Sequence, residues 1–82
     1  MAEACECRLR QQAARIATAV HENRTNIQIE EERLHVFSQL RIVLQQLHKN
    51  ELSGQDGDAR DHVLNEVAGT LMVLEGICAR WK

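Results

Sequence analysis

The residues with reactive side chains are few: Cys5, Cys7 and Cys78, and His21, His35, His48 and His62. Cys5 and Cys7, with Cys78 and a histidine, are the residue types from which a metal or redox site would be built. Zinc sites, however, separate paired cysteines by two to four residues and need a second pair of ligands. Here one residue separates the pair, and no two histidines share the i, i+4 spacing that would put them on one helical face. An odd count of three cysteines also departs from the even, dense set of a secreted disulfide scaffold. The spacing therefore predicts no metal and no cofactor. Cys5 and Cys7 read as incidental thiols, and Cys78 as a small core hydrophobe.

His62 near Asp58 and Asp61 has the look of a catalytic dyad. It lacks a nucleophile, since the serines are Ser38 and Ser53, and no glycine-rich oxyanion loop accompanies it. Gly54-Gln-Asp-Gly-Asp58 is a fragment of a calcium loop. A complete one needs alternating ligands over about twelve residues and a closing glutamate, so this stretch reads as a connection between helices. His48, at the end of a helical segment, reads as a partner of the helix dipole. None of these patterns supports catalysis, and the chain is expected to be a non-enzyme.

Charge narrows the partners. The net charge is −2. Residues 1–24 hold four arginines (Arg8, Arg10, Arg15, Arg24) against three glutamates, and residues 51–82 hold six acids against three bases. A nucleic-acid binder shows a contiguous basic face, which four arginines interleaved with Glu6 and Glu22 do not provide. Nucleic acid is the weaker expectation. The longest apolar run, Leu71-Met-Val-Leu74, is far too short to cross a membrane. The N-terminus has no apolar stretch of the secretory kind. The expectation is an intracellular, cytoplasmic chain.

The elements that carry these residues read as helices. There are 82 residues, no proline, four glycines all beyond residue 53, 44% hydrophobic residues and only two aromatics, Phe37 and Trp81. That is a helix-former's composition. A chain this short is a single domain with a thin core, so self-association is a natural way to add buried surface. The fold class expected is all-α: an antiparallel helical hairpin with an N-terminal helix, giving a three-helix bundle or a hairpin oligomer. The helices are placed at about 3–22, 26–50 and 57–81, in one domain covering 1–82.

In the first segment Leu9, Ala13, Ile16, Ala17 and Val20 share a face. That face continues in register into Ile27 and Leu34, so the first two segments read either as one long helix or as two with a break at His21–Asn26. Thr25-Asn-Ile-Gln28 matches a capping box and favours the break. In the second segment Ile27, Leu34, Phe37, Leu40, Leu44 and Leu47 form the expected packing face, with Ile29, Val36 and Val43 as a thinner stripe beside it.

The third segment is the most informative. Leu64, Val67, Leu71, Leu74, Cys78 and Trp81 recur by threes and fours, widened by Val63, Ala68 and Ile77. Met72 and Val73 lie off that seam, bracketed by Gly69 and Gly76. Each mid-helix glycine costs about 1 kcal/mol against alanine. Close approach of another backbone would compensate, either from the Ala13–Ala17 face of the first helix or from a partner molecule. Gly69, Met72, Val73, Gly76 and Trp81 are the predicted partner-binding residues. The expected function is non-catalytic: a helical protein-interaction subunit that self-associates into a homo-oligomer or joins a hetero-complex. The alternatives are a small regulator contacting nucleic acid through the arginine-bearing helix, and a secretion or assembly chaperone.

Overall fold

The computed structural model describes the backbone of residues 2–53 and 58–81, and the side chains of 7–49 and 60–81. Three helices, α1 (Ala2–Glu22), α2 (Glu30–Ser53) and α3 (Asp58–Ala79), pack against one another, and no strand occurs among the described residues. The all-α three-helix bundle expected from the sequence is therefore the fold. Gly54–Gly57, where the sequence places the turn between the second and third helices, lie outside the described residues.

The break after α1 is made without glycine or proline. The Asn23 amide donates to the Ala19 carbonyl at 2.9 Å and the Asn23 backbone N–H reaches the same oxygen at 3.2 Å. That backbone bond is still the i, i−4 bond of a helix; the break follows it, where the Arg24 N–H donates to the His21 carbonyl at 3.3 Å and the Asn26 N–H to the Asn23 carbonyl at 3.0 Å, both three residues back. Asn26 then starts the next element. It is extended (φ −83°, ψ 102°), and its side-chain oxygen accepts from the Gln28 N–H at 3.1 Å. The cap is thus Asn26, one residue later than the Thr25 box. A single 3₁₀ turn, Ile27–Ile29, leads into α2, whose Glu30 N–H donates back to the Ile27 carbonyl.

Glu30, Glu31 and Glu32 sit in the first turn of α2, where the helix dipole favours negative charge. The Arg33 Nε donates to Glu30 at 3.0 Å and holds its carboxyl below the usual carboxylate range.

The core runs the length of the bundle. Leu9, Ala13, Ile16 and Val20 come from α1, Val36, Leu40, Val43 and Leu47 from α2, and Leu64, Val67, Leu71 and Leu74 from α3. Trp81 closes one end. Its indole N–H donates to Glu32 at 3.4 Å, and the same carboxylate accepts from Arg80 at 2.8 Å, tying the end of α3 to the start of α2.

The α3 seam is the one read from the spacing, with Cys78 half-buried rather than sealed. The α2 face is different. Val36 is fully buried, whereas Leu34, Phe37 and Leu44 remain exposed and Ile27 faces solvent. The physical reason lies in the polar members of each track. Positions 36, 40, 43 and 47 are apolar without interruption. The track through 34, 37, 41, 44 and 48 carries Arg41 and His48, and burying an unpaired guanidinium would cost several kcal/mol or more.

Candidate functional site

The strongest candidate from the spacing lies on α3. Gly69 and Gly76 are seven residues apart, about two turns, so they share an azimuth. Met72 and Val73 sit between them and project to solvent, 70% and 63% exposed. A methyl group built on either glycine would meet nothing within 4 Å. These four residues form a low, apolar strip on the outer surface of the helix.

That openness corrects one expectation. The first helix does not approach the glycines. It packs through Ala13, which is buried, while Ala17 is exposed. The reason is rotational: α1 fits against the wide Leu64–Leu74 seam, where it covers more apolar area than the glycine face offers. Trp81 is not on the strip either. It is 9% exposed and belongs to the core, so its place is structural. The grouping of five residues thus resolves into four that share a surface and one that does not.

Beside the strip, α2 and α3 leave an open groove of about 460 Å³, lined by Ile42, Val43, Val73 and Gly69 with Gln39 and Gln46 among its polar members. Ile42 and Val73 are both exposed. A second groove, of about 310 Å³, lies between α1 and α3 and includes Ile16, Ala19 and Cys78. Arg15 faces Glu75 at 3.5 Å there. The exposed Leu34, Phe37 and Leu44 form a further apolar surface, on α2, that the spacing had assigned to the core. The signal that could have found it was Arg41 in the middle of that track.

The reactive residues do not assemble. Among the described residues no three His, Cys, Asp or Glu side chains converge as metal ligands. His62 faces Glu66 at 3.1 Å within one helix, both largely exposed. Cys7 is an exposed free thiol and Cys78 a half-buried one, and the side chain of Cys5 lies outside the described residues. Burial first, and the nearby Glu75 carboxylate second, push the Cys78 thiol up. A thiol that ionises less reacts more slowly, so alkylation at neutral pH is expected to label Cys7 well before Cys78. Mass spectrometry of a short iodoacetamide time course would check the order, and equal rates would contradict the burial of Cys78.

Among the described residues no helix is long and apolar enough to cross a membrane. The fold and this surface together describe a small all-α bundle with apolar residues left over after its core is complete. No protein-family model matches the chain, and neither the curated proteins nor the solved structures contain a match.

Proposed function

We propose that the chain is a non-catalytic helical interaction subunit, acting by burial of an apolar helix face against another protein. The observation that carries this reading is the α3 strip: Met72 and Val73 exposed together, between two glycines with open space above them. Single exposed apolar residues are ordinary on any protein. Two adjacent ones bracketed by glycines are less so, because the glycines weaken α3 by about 2 kcal/mol in total. A helix laid across the strip would recover that loss, since missing side chains let backbones come close. The partner is a second copy or a different protein.

The nucleic-acid alternative draws less support. Arg15 is directed to Glu75, and Arg10 is also engaged, which leaves fewer free cations on α1.

The test places a photo-crosslinking residue at Met72 and follows adducts in the host extract and in purified protein. Discrete adducts that disappear in the Val73→Glu variant are expected. Diffuse labelling indifferent to Val73→Glu would mean that the strip simply faces water.

A further inference from the structure

We propose that α1 is a hinged flap: it opens as one unit about residues 23–29 and uncovers the apolar face of the α2–α3 hairpin, while the hairpin itself stays folded. The proposal stands on how unequally the three helices are held, and not on the α3 strip.

The share of the core differs between helices. α1 gives Leu9, Ala13, Ile16 and Val20, so one of its four buried side chains is a single methyl. α3 gives Leu64, Val67, Leu71 and Leu74, followed by Trp81, and Val63, Ala68, Ile77 and Cys78 pack beside them. Among the described residues α1 adds no such flanking member. Its other alanines contribute little: Ala14 and Ala17 are exposed and Ala19 is half-buried. Apolar area removed from water sets the strength of such packing, and α1 brings the smallest side chains to it.

The seam between α1 and α3 is also incompletely filled. Two adjoining grooves run along it, of about 310 and 470 Å³, and Arg15, Ala19 and Cys78 border both. At Ala19 a methyl stands where a longer side chain would enter the groove. The Arg15–Glu75 pair spans the same seam at 3.5 Å with both side chains reaching water, and ion pairs in water contribute little. α2 and α3, by contrast, are clasped by Glu32, which accepts from Arg80 and from the indole of the buried Trp81.

The hinge is where helical bonding lapses. From Arg24 to Ile29 the backbone bonds reach three residues back: Arg24 to His21 at 3.3 Å, Asn26 to Asn23 at 3.0 Å and Ile29 to Asn26 at 3.3 Å. No residue from His21 to Glu30 is fully buried, so the chain turns there without drawing a sealed side chain out of the core. Hinges are element-terminal stretches of this kind. A unit held this way opens at a lower free energy than the whole chain unfolds. Opening uncovers Val36, Leu40, Val43 and Leu47 of α2 with Leu64, Val67, Leu71 and Leu74 of α3, all buried in the closed bundle.

Native-state hydrogen exchange, followed residue by residue by NMR at one low protein concentration, tests the flap. The slowest amides of residues 8–22 are expected to share one protection factor, at least about tenfold below that at the centres of α2 and α3. Ala19→Leu puts three more carbons into the groove and should raise the protection of α1 roughly five- to tenfold, with circular dichroism confirming that the variant is folded.

Equal protection in all three helices would mean that the bundle opens only as a whole, and overturns the flap. Protection that declines steadily toward the N-terminus, with Val20 as slow as the centre of α2, is fraying and overturns it too. A folded Ala19→Leu variant whose α1 exchanges as fast as that of the wild type removes the open seam as the cause, and the proposal with it.

Discussion

Leu71→Ala is expected to lower the stability of the bundle by about 3 kcal/mol, the middle of the range for removing a buried leucine side chain and leaving a partly collapsed cavity. Leu71 is fully buried and sits midway along the α3 seam, between Val67 and Leu74, where both other helices pack. For a chain of this length the whole stability is about 4–12 kcal/mol, so this one change removes a large share of it. The midpoint of thermal unfolding should fall by roughly 12–24 °C, at about 4–8 °C per kcal/mol for a small domain. Met72→Ala, one residue on, should cost less than about 0.5 kcal/mol, as exposed substitutions do. Urea unfolding of both variants, followed by circular dichroism at one protein concentration, checks the contrast. A loss under about 1 kcal/mol at Leu71, or similar losses at both positions, would contradict the rotation of α3 described here.

That contrast marks where the sequence was legible. On α3 every seam position except Cys78 and Trp81 is leucine or valine, and the off-seam side includes Asn65, Glu66 and Gly69. Only one rotation of the helix buries the first set and exposes the second, and the structure adopts it. On α2 two apolar tracks compete. Phe37 and the leucines are the larger residues, and size favours their track. The structure instead buries Val36 completely and leaves Phe37 half exposed. Arg41 decides this, because a charged residue in the middle of a track is expensive to bury in a core that offers no carboxylate to meet it. Size sets how much burial is worth, but one misplaced charge outweighs it.

The α1–α2 boundary was harder to locate for a similar reason. The apolar register runs on through the break, so the core pattern alone is compatible with one long helix. Tight backbone turns at Arg24 and Asn26 stop it, with the side chains of Asn23 and Asn26 taking up the neighbouring backbone groups. Asparagine competes for backbone groups in this way, which is why it favours helix ends over interiors. The candidate site divides along the same line. Gly69, Met72, Val73 and Gly76 are legible as one face because helical geometry alone places them together. Trp81 falls by its spacing on the seam rather than on that face, and the structure buries it there. The deciding fact is non-local: Glu32, at the far end of another helix, comes within 3.4 Å of the indole.

The double variant Gly69→Ala/Gly76→Ala is expected to raise the stability of the isolated chain by about 2 kcal/mol, about 1 kcal/mol for each mid-helix glycine. The usual objection to such a change, that the new methyl would collide, does not apply, because beyond the helix's own backbone nothing lies within 4 Å of where either methyl would sit. Both residues are inside α3, so alanine also suits the backbone. The two sites are about 10 Å apart along the helix and should contribute additively. A gain of this size at two exposed positions is large, and under the proposed function a contact outside the isolated chain accounts for its neglect in the natural sequence. An approaching helix is such a contact: methyl groups at 69 and 76 would hold it off and break contacts to Met72 and Val73. Gly76→Leu carries the same logic further, gaining helix propensity while placing a bulky side chain on the strip. Stability and partner binding should therefore move in opposite directions, with urea midpoints rising as crosslinking at Met72 falls. If midpoints rise while crosslinking and oligomer mass stay unchanged, the strip takes no partner. The glycines would then be a tolerated weakness of α3 rather than part of an interface.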